Sequence, residues 1–592
     1  MVSDMTAHPL RLVRVLVCIL LMLAGGAQAS DIERVPVLIK GGALGLAQSL
    51  VERNQPPPRQ MELWMAWERQ RYAVYFARSD WDGLAQRVDA LPPHLPENFR
   101  RWALTQGAWA RLSAGDGEGA RHFLRALLWQ TDATPAGMSE ARQLVIRSYL
   151  LDDNLSDAET AVLRYQQDYQ ARSDSWQELH ATILLRSHQP RNAMLILAGV
   201  HTDEGRLLAL LAAFQGHAYA AHSLLAQAQK LAYETRNQPR LNYQAWVLVA
   251  ATALRTNERL QRIAALERAL TLQNDSNADD KLFKVRADDL WQAYDRLAET
   301  VGKAAHLRVD NDAAWLKKAG SYKRDDAASA RAFYAFLSRH AKSAATRALA
   351  HQRLADSLDE DGREKVLRRL YTGSARYATL AAIPATIRYH MLDAALGDYD
   401  IDFAAKLMQG LQAAPQGEET KQWTLRRARI LIYAGDYTAA QSLLRDLLCD
   451  ISAFDEGFAE RYLQVMFDLQ SAGRHQQAVT LLESVFYLVD TTRMQREILY
   501  WMAESKVALG EYTEAAELYL RSATFDNPYG GDMWGQSARF HAAESLAKAG
   551  LSADARDVYT GLLKFTEDPK RRVLLERNIQ QLWLTEKKTT TP

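Results

Sequence analysis

Cysteine is nearly missing. The chain has two, Cys18 and Cys449, in 592 residues. Cys18 falls in a segment expected to be removed, so a disulfide framework is excluded, as is a zinc site built from four cysteines or from two cysteines and two histidines. Proline (16) and glycine (30) are sparse, which excludes collagen-like order and wholesale disorder. No charge of one sign dominates: 72 Lys and Arg face 71 Asp and Glu. A neutral chain lacks the cation surplus that displaces counterions from nucleic acid, so no nucleic acid is expected as a partner. Past the first 29 residues no stretch is apolar enough to be a transmembrane helix, which takes about 20 residues.

What is present is a globular composition, 48% hydrophobic and 24% charged. The length exceeds the roughly 250–300 residues at which a single core stops growing. Several domains or an extended array are therefore expected. Residues 1–29 read as a Sec-type signal peptide. Arg11 and Arg14 begin it, Leu16 to Leu23 form a short apolar run, and Ala27-Gln28-Ala29 is the small-x-small cleavage pattern. Cleavage after Ala29 leaves Ser30 first and predicts a periplasmic protein. Val17 before Cys18 does not fit a lipoprotein signal, and no adjacent arginine pair marks a twin-arginine one. Cys449, following Leu447 and Leu448, is expected to be a buried small hydrophobe.

A repeat runs through the chain. Around Gly435, Ala428 lies seven residues before, with Ala440, Leu444 and Leu447 five, nine and twelve after. Gly510 gives Ala503, Ala515, Tyr519 and Ser522. Gly550 gives Ala543, Ala555, Tyr559 and Leu562. Gly473 gives Met466, Ala478, Leu482 and Val485. Gly115 and Gly216 extend the skeleton to the N-terminal half, through Ala108, Ala120, Leu124 and Leu127, and through Ala209, Ala221, Leu225 and Ala228. Small side chains let two antiparallel helices approach, larger ones at helical spacing fill the groove, and the glycine takes the left-handed conformation that ends the first helix. Weaker hairpins turn at Asp152-Asp153-Asn154, His188-Gln189-Pro190 and Thr256-Asn257. No sustained alternation of period two suggests a sheet.

This skeleton resembles the tetratricopeptide repeat (TPR) family, most closely over Ala503 to Ala516, with Gly510-Glu511-Tyr512-Thr513-Glu514-Ala515-Ala516. The resemblance implies an all-α, TPR-like α-solenoid of stacked antiparallel hairpins. The period departs from the family's. Turn glycines at 397, 435, 473, 510 and 550 are 37 to 40 residues apart, against about 34 in the familiar repeat. Around Gly397 the pattern degrades, with His390 and Asp402 where small residues are expected.

The expected organisation is a signal peptide (1–29), an N-terminal helical lobe (30–273) and an Asn/Asp-rich linker (274–280). An off-pattern helical junction follows (281–372), with Trp291, Tyr294, Trp315 and Phe333. A C-terminal TPR-like array closed by an amphipathic capping helix (373–585) and a polar tail (586–592) complete it.

No catalytic constellation stands. There is no Gly-x-x-x-x-Gly-Lys-Ser/Thr loop, no Gly-x-Ser-x-Gly elbow and no His-Glu-x-x-His. Soluble lytic transglycosylases combine a helical superhelix with a catalytic domain opening on Glu-Ser, and the chain bears a weaker resemblance to their superhelical region without that module. Glu483-Ser484, Glu504-Ser505 and Glu544-Ser545 sit in repeat helices and lack the motif that follows the pair in that family. Neither enzyme activity, cofactor nor metal is expected.

The resemblance implies a scaffold or adaptor that binds envelope proteins through a concave face made by first helices. The alternative is a non-catalytic cell-wall protein that binds peptidoglycan or regulates a peptidoglycan synthase or hydrolase. Candidate partner-binding residues are Tyr433, Tyr462 and Tyr500 on first helices, and Tyr529 and Trp534 in the loop 526–535.

Overall fold

The computed structural model describes residues 31–130, 135–274, 280–308, 310–449, 455–526, 528 and 532–589. The expected signal peptide, Tyr529 and most of the Asn/Asp-rich stretch lie outside the described residues. Among the described residues the elements are helices and the turns between them, with no β-sheet. The chain is an all-α, TPR-like α-solenoid. It divides into two compact units, Met1–Lys284 and Val285–Pro592.

One rule builds both units. Among the described residues, thirteen turns join the two helices of a hairpin through a corner residue with positive φ. Seven corners are glycines: 42, 115, 362, 435, 473, 510 and 550. Six are not: Ser79, Asp153, His188, His217, Asn257 and Tyr399. The hydrogen bonds are the same at both kinds. At Gly435 the corner N–H donates to Ile432 O (3.0 Å) and the next N–H, of Asp436, to Leu431 O (2.9 Å). At Tyr399 the corresponding bonds run to Leu396 O (3.2 Å) and from Asp400 to Ala395 O (2.9 Å). This is the Schellman closure, which satisfies carbonyls left over at the helix end.

Counted from these corners, the positions seven before, five after and nine after are buried in every hairpin but that of His217. The helical period puts the last two on one face of the second helix, against the first. Burial of each large residue on this stripe, such as Leu444 or Tyr519, contributes roughly 1.5–3 kcal/mol.

The corners correct two expectations. The left-handed residue is Tyr399, not Gly397, which is the last residue of the helix Ala385–Gly397. Counted from Tyr399, the skeleton falls on Leu392, Ala404, Met408 and Leu411, all buried, so this repeat is regular. The left-handed residue is likewise His217, not Gly216, whose φ is −80°. The second helix there begins only at Ala221, so the stripe moves to Leu224, Ala228 and Leu231. A further corner at Gly362, with Ala355, Leu367, Tyr371 and Ser374 buried, extends the pattern into the segment read as off-pattern.

Ahead of it, Trp291, Tyr294, Trp315 and Phe333 are all buried. Trp315 stacks on Phe336 at 4.5 Å. It fits because residue 302 is glycine: a Cβ there would stand 2.3 Å from the indole. The closing helix, Pro569–Thr589, seats Leu575 against Tyr559 and Leu562. Cys449 is exposed rather than buried. It stands one residue past Leu448 and so about 100° further round the helix than that buried side chain.

Candidate partner-binding faces

First helices touch one another as well as their own partners. In the N-terminal unit Glu97–Ser113 packs on Pro135–Leu151, and Asp203–Gln215 packs on both Asp174–Arg186 and Pro239–Arg255. Their outward residues form one face, and two concavities open on it. One, of about 330 Å³, lies between Trp109, Ser113, Arg147, Leu151 and Arg186. The other, of about 130 Å³, is walled by Arg186, Glu204, Leu207, Arg240, Gln244 and the 280–283 segment. Arg186 belongs to both.

The polar groups here are mostly fixed. Arg186 donates to Leu150 O at 2.7 Å and pairs with Asp153. Arg240 pairs with Glu204 at 2.9 Å. Gln244 donates to Asp280 at 2.7 Å, and the other oxygen of Asp280 accepts from the N–H groups of Leu282 and Phe283. Phe283 is buried and its carbonyl accepts from Tyr243. Arg147 differs. Its side chain is exposed, yet desolvation lowers its pKa, with Glu204 opposing the shift and Arg240 adding to it. A side chain ringed by protein but open to water at its tip has both properties. Arg147 forms no ion pair among the described residues.

The first helices of the C-terminal unit make a second, more aromatic face. Tyr433 is half-exposed, accepts from Arg429 at 2.9 Å and donates to Asp468 at 3.1 Å, while Arg429 pairs with Asp468 at 2.7 Å. Further along, Phe467 meets Trp501 at 4.6 Å, and Tyr500 meets Trp534 at 5.0 Å and Tyr519 at 5.2 Å. Tyr519 donates to Glu504 at 2.5 Å. His541 bonds Glu544 at 3.1 Å, which raises the histidine's pKa.

The predicted residues are thus dispersed. Among the described ones, Tyr433 presents its ring to solvent. Tyr500 and Trp534 meet, but both are partly buried, and Trp534 is tied down by a bond from its indole to Ser522 (3.1 Å). Tyr462 is a correction: it is 0% exposed, in the core with Leu463 and Met466, and offers no surface. It lies eleven residues before its corner, one helical turn from the buried seventh position and on the same face. Tyr529 lies outside the described residues. Trp109, Arg147 and Arg240 were not singled out in the sequence. Their signal is their place on first helices, away from the buried stripe.

Two of the Glu-Ser pairs serve packing, and the third, Glu483-Ser484, is exposed on its helix. Ser505 is buried and accepts from Gln470 at 2.7 Å, while Glu504 holds Tyr519. Ser545 is buried and Glu544 holds His541. Among the described residues no group of three or more His, Cys, Asp or Glu side chains could hold a metal ion, and no helix is long and apolar enough to cross a membrane.

No protein-family model matches the chain, and no curated protein matches it. Solved structures do show likeness. The Cut9–Hcn1 hetero-tetramer of the APC/C is 10% identical over 92% of this chain and 95% of that one, with a TM-score of 0.29. Yeast Tom70 is 10% identical over 84% and 98%, with a TM-score of 0.22. The TPR domain of P58(IPK) is 11% identical over 77% and 100%, with a TM-score of 0.18. Identities and scores this low say nothing about partner or superposable shape.

Proposed function

We propose that the chain is a scaffold or adaptor of the cell envelope, exported to the periplasm, that holds an extended segment of a partner protein on its first-helix face. The observation that carries this reading is Arg147: a cation with no ion-pair partner among the described residues, standing in a concavity beside the exposed edge of Trp109 and the partly exposed Leu151. A carboxylate on the partner, with an apolar side chain next to it, would fill the site. Tyr and Trp anchors beside a charged contact are what protein interfaces use. Export is supported by the Arg11 to Ala29 pattern.

A photo-crosslinking residue placed at 109, 147 or 240 in the native envelope should capture one defined protein. The same residue at Leu163 or Leu195, exposed on second helices, should not capture it. Equal capture from both sets, or none from the first, refutes the reading. Binding to purified sacculi without protein would favour the peptidoglycan alternative. N-terminal sequencing of the envelope-extracted chain should begin at Ser30; an intact Met1 in the cytoplasm contradicts export.

A further inference from the structure

A separate cavity, of about 430 Å³, opens in the C-terminal unit beside the start of the helix Ala344–Glu360. Its polar wall is Arg347, His351, Arg376, Tyr377 and Ser338, and its apolar wall is Ala344, Ala348, Ala382 and Pro384. No carboxylate among the described residues lines it.

Neither Arg347 nor Arg376 forms an ion pair among the described residues. Arg347 spends one terminal nitrogen on the carbonyls of Ala341 (2.7 Å) and Lys342 (2.9 Å), which fixes the guanidinium and leaves its other N–H groups. Arg376 is exposed, and its positive charge lies near the hydroxyl of Tyr377. Of the acids nearby, Asp295 pairs with Arg339 at 2.8 Å and also feels the charge of Arg376, and Asp288 accepts from Ser374 at 2.7 Å.

His351 is the second observation. It is 6% exposed, and its Nδ1 lies 2.6 Å from the hydroxyl of Tyr371. His351 lines the cavity while Tyr371 does not, and its Nε2 has no hydrogen-bond partner among the described residues. Burial, then Arg376 and Arg347, push its pKa down to about 4, so the ring is neutral. The buried Tyr371 hydroxyl has no other acceptor among the described residues, so it donates to Nδ1, and Nε2 then carries the proton and is a donor. Three donor groups therefore converge on a cavity with no acceptor carboxylate of its own.

We infer that this cavity is a site for a carboxylate or phosphate group carried on a small, partly apolar molecule. Two guanidiniums and an imidazole N–H match the oxygens of either anion, and the alanine and proline wall takes the carbon body. The volume exceeds what a bare ion fills.

Titration calorimetry of the full chain with phenyl phosphate and with N-acetylalanine, at fixed ionic strength, tests this. At least one should give saturable one-to-one binding, weakened about tenfold or more by Arg376→Gln. Arg308→Gln, which removes an exposed cation elsewhere in the unit, should leave binding unchanged. Arg376 is exposed, so its replacement leaves the fold intact, to be checked by circular dichroism. The His351 Nε2 resonance should shift on binding in the wild type, and in Arg376→Gln only at correspondingly higher ligand concentration. A response to phenyl phosphate alone assigns the site to phosphates, and to N-acetylalanine alone to carboxylates. No saturable binding of either probe, or equal affinity in Arg376→Gln, overturns the inference.

Discussion

Replacing Gly510 by alanine isolates the energetics of a hairpin corner. Gly510 has φ +80°, and a Cβ built there meets nothing within 4 Å. Steric collision with the rest of the protein is therefore absent, and the cost lies in the backbone. An L-residue in the left-handed region costs about 1–2 kcal/mol. The stiffer unfolded chain returns roughly 0.4–1 kcal/mol. The net expectation is a loss of about 1 kcal/mol. The next hairpin supplies the control. Gly561 lies within the helix Ser552–Leu563, has no positive φ, and its Cβ also meets nothing within 4 Å. Gly561→Ala should therefore stabilise, by about 0.5–1 kcal/mol. Urea denaturation followed by circular dichroism should show the midpoint falling for Gly510→Ala and rising for Gly561→Ala. If both move the same way, or Gly510→Ala is neutral, the left-handed corner does not hold this hairpin as described.

Overpacking a crossing should cost more: Ala515→Leu, at a fully buried position five after the corner, is expected to lose about 1–3 kcal/mol in the same assay. Glu68 is fully buried, accepts from Gln55 (2.6 Å) and pairs with Arg87. Glu68→Ala strands those donors and should cost about 3 kcal/mol or more in thermal or urea unfolding. His351, depressed from 6.5 to about 4, resists protonation when folded, so stability is lost as pH falls below about 6.5 and the loss levels off near 4. That loss is about 3 kcal/mol, and His351→Gln should flatten this acid limb of a stability–pH series. His390 runs the other way. Its bond to Asp359 (3.1 Å) raises its pKa, so its contribution is present below about 6.5 and fades as pH climbs through the raised value, a slope that His390→Gln should remove.

The hairpin architecture was legible where the corner is glycine. A glycine flanked by alanines marks Gly115, Gly435, Gly510 and Gly550, and the burial of their partners follows from helical spacing. It was less legible where another residue holds the corner. Tyr399 is 87% exposed, so nothing but its own backbone opposes the left-handed turn, and no residue type announces it. A nearby glycine then draws the register off, as Gly397 and Gly216 did. Turns at Asp153, His188 and Asn257 could be found from their polar neighbours, whereas Ser79 and Gly362 passed unmarked. The binding faces were harder still. Residue type pointed to tyrosines, but offset from the corner decides exposure: Tyr433, two before its corner, is half-exposed, while Tyr462, eleven before, is core. Arg147 and Trp109 become a site only once successive first helices lie side by side, a relation between hairpins that no single hairpin's sequence carries.

Hydrogen–deuterium exchange of the full chain, with and without the protein captured by crosslinking at position 109, tests the first-helix face most directly. Protection should fall on peptides from Glu97–Ser113, Pro135–Leu151, Asp174–Arg186 and Asp203–Gln215 and be lost with Arg147→Glu. Protection confined to second helices, or unchanged in Arg147→Glu, would contradict it.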